Sequence, residues 1–319
     1  MPPVNDFDSF FLHLPPFDRS DDFDAFWNSG IQELKKIPTE AQLTENKKKS
    51  NARFTVHDVS FKSFNRSVIT GDLFVPHDIE KPRVIIIISD YNAKNNYRNY
   101  ILDTSAAYFF MNLRGHDILS VEPGTNPAPG EEKSYPGYMI ENILDRDTYY
   151  ARGIYLDVYR AIDMLRLRNF LDCSAIGIIG KGFGAAAAIF AASMSERVHA
   201  LVLDTPSFSY LRLSQNHSES DATEEINSFL QKNKSKNKTV KKNLSYYDAL
   251  NFSDKISCPC LVTVGFKDRF SPPQCVFALF NHLICDKTIE VYPDEGNEAG
   301  GEKQFKKSMK WITEIINSQ

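Results

Sequence analysis

The sequence predicts an α/β fold: a mostly parallel central sheet, entered through an antiparallel N-terminal hairpin, with helices on both faces. Three observations predict it. Residues 54–75 alternate apolar and polar side chains on either side of Ser63-Phe64-Asn65-Arg66-Ser67, the pattern of a hairpin. From Arg83 onward the alternation gives way to short, continuous β-branched runs, as in strands buried on both faces. Helical periodicities separate those runs, and strands alternating with helices build a parallel sheet.

Each element has its own signal. Residues 7–16 read as irregular because of their prolines. Asp21-Asp22-Phe23-Asp24 starts a helix that runs through Phe26-Trp27 to about Lys35. Residues 36–52 are polar and loop-like. Residues 84–88 form a buried strand, 104–111 read as helical, and 117–121 read as a strand. Between 149 and 167, Ile154, Val158, Ile162 and Leu165 share one helical face. Strands follow at 176–179 and 201–203, with a helix of small residues at 185–195 between them. Residues 261–264 and 289–292 are the last strands, and an amphipathic helix at 304–316 closes the chain. The whole, 1–319, reads as one domain, with an N-terminal helix and extension at 1–52 and an insertion or cap at 205–250.

Composition excludes several function classes. The chain has 319 residues, 42% hydrophobic and 24% charged, a globular balance. Its 37 basic and 41 acidic side chains leave a formal charge of −4, so nucleic acid is not an expected partner. The longest apolar run, 84–88, is far short of the roughly 20 residues that cross a bilayer. Residues 1–30 have neither the basic nor the apolar region of a signal peptide, so the chain reads as cytoplasmic, with no membrane partner. The five cysteines, Cys173, Cys258, Cys260, Cys275 and Cys285, are odd in number and scattered, which reads as reduced thiols. No His/Cys/carboxylate spacing suggests a metal, and no cofactor is expected. Residues 231–242 carry six lysines, the pattern of a solvated face.

One junction carries chemistry. Ile178-Ile179-Gly180-Lys181-Gly182-Phe183-Gly184-Ala185-Ala186 runs from a buried strand straight into an Ala-rich helix. That is the setting of a nucleophile elbow, small-x-Ser-x-small. The flanking glycines let strand and helix approach closely, and the central side chain projects above the sheet. Here the centre is Gly182, which has no side chain. The same residues lack both the G-x-G-x-x-G spacing and the Gly-Lys-Ser/Thr ending of phosphate loops.

The chain resembles the acetyl xylan esterase / cephalosporin-C deacetylase family of α/β hydrolases along nearly its whole length. The matching segments are Asp22-Phe23-Asp24-Ala25-Phe26-Trp27, Arg114-Gly115, residues 149–157 with Arg160-Ala161, Leu244-Ser245-Tyr246-Tyr247-Asp248, Gly265 with Asp268, Pro272-Pro273, and Phe277 with Asn281-His282-Leu283. The resemblance implies an α/β-hydrolase fold and a serine carboxylic-ester hydrolase. It places the nucleophile at Gly182, the acid at Asp268 and the base at Asn297, within Gly296-Asn297-Glu298 where the family has Gly-His-Glu. It assigns oxyanion stabilisation to Tyr91 and to the backbone N–H of Phe183. Ser89, Asp90, Lys181 and Glu298 would line the pocket; the family usually has His-Gly where Ser89-Asp90 precede Tyr91.

Two of three triad members are therefore replaced. Gly182 has no proton to give and Asn297 cannot accept one at neutral pH. Losing either the Ser or the His of such a triad costs on the order of 10⁶ in turnover. Ser89 and Lys181 lack an evident base; His116, near the carboxyl edge of the sheet, reads as a surface histidine or one standing behind the site, and His282 reads as structural. The reading is a pseudoenzyme retaining binding of acetylated saccharides or another small molecule. A weak or redirected deacetylase and a scaffold with an idle pocket are the alternatives. The resemblance also implies self-association, most naturally as a homo-hexamer.

Overall fold

The computed structural model describes residues 7–93, 103–116 and 137–319. The chain begins with two helices, α1 (Phe7–Phe11) and α2 (Phe23–Lys35), then strands β1 (Gln42–Glu45), β2 (Phe54–Lys62), β3 (Val68–Pro76), β4 (Arg83–Ile88) and β5 (Ala107–Met111). There follow α3 (Tyr150–Arg166), β6 (Asp172–Lys181), α4 (Phe183–Met194), β7 (Val198–Asp204) and three helices, α5 (Leu211–His217), α6 (Asp221–Lys232) and α7 (Asn237–Leu244). The chain closes with β8 (Cys260–Gly265), α8 (Pro273–His282), β9 (Lys287–Tyr292) and α9 (Gly301–Asn317).

The nine strands among the described residues join one sheet in the order β1-β2-β3-β5-β4-β6-β7-β8-β9. β1, β2 and β3 pair antiparallel, β3 meets β5 antiparallel, and every pair from β5 to β9 is parallel. This is the α/β-hydrolase arrangement that the sequence predicts. The alternation within β4 distributes the core. Ile86 and Ile88 pack with α2, α3 and α4 on one face, and Ile85 and Ile87 with Phe305, Met309, Ile312 and Ile316 of α9 on the other. Trp27 of α2 sits 4.4 Å from Phe190 of α4, ring to ring, and its indole N–H donates to the Tyr246 carbonyl at 3.0 Å.

Three expectations need correction. Residues 107–111 form a strand, not a helix: β5 is central and buried throughout, so its apolar run has no period to separate strand from helix. Residues 42–45, read as loop, form the exposed edge strand β1. Residues 7–11 form one short helix, because the first prolines of that segment stand beyond it at Pro15 and Pro16. The strand expected at 117–121 lies outside the described residues.

β4 pairs with β5 on one side and β6 on the other, so the chain changes direction of winding at β4. In open α/β sheets the crevice beyond the carboxyl ends of such strands is where ligands bind. Asp90-Tyr91 follows β4 and Gly182 follows β6.

Candidate active site

The turn from β6 into α4 has the geometry of an elbow. Gly182 takes φ 54°, ψ −120°, a backbone conformation that L side chains rarely adopt. Its N–H donates to the Asp204 carbonyl (3.0 Å), and its carbonyl accepts from Ser207 and Ala185 (both 3.1 Å). The flanking glycines permit the close approach. A Cβ on Gly180 would lie 2.5 Å from the Gly184 carbonyl oxygen, and one on Gly184 would lie 2.4 Å from that of Ser89.

The space above Gly182 is filled by Asp90. A Cβ built on Gly182 would stand 2.1 Å from Asp90 Cγ and 2.2 Å from each carboxylate oxygen. Asp90 Oδ1 accepts from the Tyr91 N–H (2.8 Å) and from the Phe183 N–H (2.7 Å). An internal carboxylate thus occupies the cleft between the β4 and β6 strand ends and saturates two converging backbone donors. Burial pushes the Asp90 carboxyl up to about 6, with the two N–H groups and Lys181 pulling the other way.

Asp268 and Asn297 lie on the loops after β8 and β9, and they are not hydrogen-bonded to each other. Asp268 Oδ1 accepts from the backbone of Phe270 (2.7 Å) and Ser271 (3.0 Å). Its Oδ2 is buried with no hydrogen-bond partner among the described residues. Burial raises this carboxyl to about 6 as well. Asn297 Oδ1 accepts from the Thr205 hydroxyl (2.9 Å). Lys181 Nζ donates to the Asn297 carbonyl (2.8 Å) and to Asp204 Oδ2 (3.1 Å). The lysine beside the elbow is therefore tied down as a bridge between two loops.

The remaining pocket residues divide. Ser89 is buried at the end of β4, whereas Glu298 is exposed. The Tyr91 hydroxyl donates to Glu225 Oε1 (2.8 Å), and the same carboxylate accepts from the N–H groups of Gly137 (3.1 Å) and Met139 (3.0 Å). Asn92 Nδ2 donates to Asp221 Oδ2 (2.8 Å), so α6 is pinned twice to the loop after β4. The His116 ring packs against Tyr91 and Tyr138, and burial lowers its basicity to about 4. His282 hydrogen-bonds its own helix through Ala278 (2.7 Å).

Sequence reasoning missed Glu225 as the partner of Tyr91. The signal was present: Glu225 falls on the same helical stripe as Ala222, Ile226 and Leu230, and a carboxylate on an apolar stripe marks a buried polar contact. Among the described residues no group of three or more His, Cys, Asp or Glu side chains could hold a metal ion, and no helix is long and apolar enough to cross a membrane.

Comparison with known proteins agrees with this architecture. The chain is 25% identical to acetyl esterase Axe7A of Xylanibacter ruminicola over 317 residues, 95% of this chain and 69% of the relative. An acetyl xylan esterase from Paenibacillus sp. R4 superposes with a TM-score of 0.86 at 24% identity, covering 98% of this chain and 99% of that one. Acetyl xylan esterase 1 from Thermoanaerobacterium sp. JW/SL YS485 superposes with a TM-score of 0.81 at 22% identity, covering 97% and 98%. The sequence pattern of the acetyl xylan esterase family matches residues 14–315, and the chain belongs to that family.

Proposed function

We propose that this chain is a non-hydrolytic member of the acetyl xylan esterase family, a pseudoenzyme whose catalytic crevice is closed by its own Asp90. The observation that carries the reading is the placement of the Asp90 carboxylate. It fills the position of a nucleophile side chain and accepts from the Tyr91 and Phe183 N–H groups, which the family resemblance assigns to the oxyanion. An acyl oxygen can use those donors only if Asp90 leaves. Gly182 offers no hydroxyl, and Asn297 offers no basic nitrogen.

Two further observations support loss of the proton relay. In a working triad the acid holds the imidazole in its tautomer and orientation. Here Asp268 keeps one carboxylate oxygen without a hydrogen-bond partner among the described residues. Asn297 turns its side-chain oxygen to Thr205 instead. Any retained ligand, an acetylated saccharide or another small molecule, would be held without being cleaved. We also take the chain to be a cytoplasmic homo-oligomer, most naturally a hexamer; light scattering showing only a 36 kDa species would remove that part.

The test is acetyl-ester hydrolysis by the purified chain on acetylated xylo-oligosaccharides and aryl acetates. It is run beside Gly182→Ser/Asn297→His and the same variant carrying Asp90→Gly. The natural chain should stay at background, and activity should first appear in the triple variant. Enzyme-like turnover by the natural chain would overturn the reading in favour of a redirected hydrolase.

A further inference from the structure

A second cluster of reactive side chains sits at the opposite, amino-terminal end of the parallel strands. Cys260 opens β8, where it lies opposite Lys287 of β9, and its N–H donates to the Asp286 carbonyl at 2.8 Å. Cys285 comes two residues before β9. Its Sγ lies 3.6 Å from Cys260 Sγ, with no intervening group. Cys260 is fully buried, and its thiol points on to the Cys258 carbonyl (3.4 Å); Cys285 is only half-buried.

A fixed cation stands beside the pair. Lys287 Nζ donates to the carbonyls of Phe280 (2.9 Å), Asn281 (3.2 Å) and Leu283 (2.7 Å) at the end of α8. It also lies 4.8 Å from the Phe280 ring centroid. Packing alone explains a buried Cys258, since cysteine behaves as a small apolar side chain. It does not explain a solvent-reachable thiol aimed at a buried one beside an immobilised ammonium. The electrostatics are asymmetric. The sulfur–sulfur contact with Cys260, ahead of the Lys287 charge, holds the Cys285 thiol below its ordinary range. Hydrogen bonding to Cys258 and Cys285, together with burial, holds Cys260 well above it. A half-buried thiol of lowered pKa beside a fully buried thiol is the arrangement of an attacking and a resolving cysteine.

We propose that Cys285 and Cys260 form a peroxide-reactive dithiol that closes to a disulfide between the β8 and β9 strand ends. The Cys285 thiolate attacks the terminal oxygen of a hydroperoxide. A sulfur–oxygen bond forms, the O–O bond breaks, and the alkoxide or hydroxide leaves with a proton from solvent. Cys260 sulfur then displaces the hydroxyl from the Cys285 sulfenic acid, and the Cys260 proton goes to the departing hydroxide as water. Two thiols are oxidised and one peroxide is reduced. Closure requires the sulfurs to move from 3.6 Å to about 2.05 Å.

The experiment oxidises the reduced, full-length chain with stoichiometric hydrogen peroxide and maps disulfides by mass spectrometry without reductant. The expected product is a Cys260–Cys285 link, still formed in Cys258→Ser and lost in Cys285→Ser. Cys260→Ser should instead stop at a Cys285 sulfenic acid that dimedone traps. A link through Cys258, Cys173 or Cys275 in the folded chain would overturn the proposal. So would Cys285 reacting no faster in the folded chain than in urea.

Discussion

Asp90 and Gly182 share one side-chain volume: the carboxylate of the first stands 2.1 Å from where the Cβ of the second would be. The family resemblance places a glycine at position 90 and a serine at position 182, so this chain carries the side chain on the other partner of the pair. That exchange makes the two positions energetically dependent.

Gly182→Ser alone should be inactive and less stable. A side chain at this φ costs roughly 1–3 kcal/mol in backbone strain. Overpacking against Asp90 adds about 1–3 kcal/mol. Asp90→Gly in the same chain should recover the second part but not the first. Urea denaturation of both single variants and the double variant closes the cycle. Additive losses would show that the two side chains do not compete for space.

Asp90 should leave a signature in the pH dependence of stability. Its carboxyl rises from an ordinary 3.8 to about 6 on folding. Between those values the folded chain binds the extra proton, so this group's contribution falls as pH rises from about 4 to about 6 and is level above. Asp90→Asn keeps an acceptor for both N–H groups and removes the titration. The variant should match the natural chain near pH 4 and exceed it by roughly 1–3 kcal/mol at pH 7. A constant difference across that range would place the titration elsewhere. Asp268 and Asp248 are raised in the same direction, but their contributions cancel in the comparison.

Glu225 should act as the latch of α6. Its carboxylate serves the Tyr91 hydroxyl and two backbone N–H groups. Glu225→Ala strands two buried donors and one half-buried donor and should cost about 2–4 kcal/mol. Hydrogen exchange should accelerate in α6 and around Met139 while β6 and β7 stay protected. Unchanged protection of α6 would mean that its apolar stripe holds it without the carboxylate.

Arg114 should matter for folding rather than chemistry. Its guanidinium grips the fully buried Asp157 through two bonds, 2.7 Å and 2.6 Å. Gly153 leaves room for it, since a Cβ there would lie 2.2 Å from Arg114 Cζ. Arg114→Met leaves a buried carboxylate unpaired and should cost about 3–5 kcal/mol. The Arg114→Met/Asp157→Leu pair should recover much of it. Thermal denaturation of the two variants decides this.

Much of the architecture was legible because its signals are local. The β-branched run of β4, the small residues of α4 and the periodicity of α3 each state their element. β5 was not legible, since burial on both faces erases period. The elbow was legible from Gly180 and Gly184, whose absence of side chains is itself the requirement. The occupant of the elbow was not. Nothing in Ser89-Asp90-Tyr91 says that a carboxylate turns back over a glycine 92 positions later in the chain. That contact depends on β4 and β6 being neighbours, which only the strand order reveals. The apolar stripe of α6 marks Glu225 as a buried polar contact, but its partners, 134 and 86 residues away, were hidden for the same reason.

The shared volume at positions 90 and 182 also works as a ratchet on descent. Regaining a serine first means crowding it against Asp90; clearing Asp90 first leaves a hollow above a glycine and two buried donors without a partner. Each intermediate should be worse than its starting point, and neither gains a proton acceptor at position 297, where the family resemblance places the base. On the non-hydrolytic reading proposed above, a lineage carrying this pair would be held away from ester chemistry by steric order of events as well as by the groups that reading takes as missing, which would leave its surfaces free to diverge under other demands.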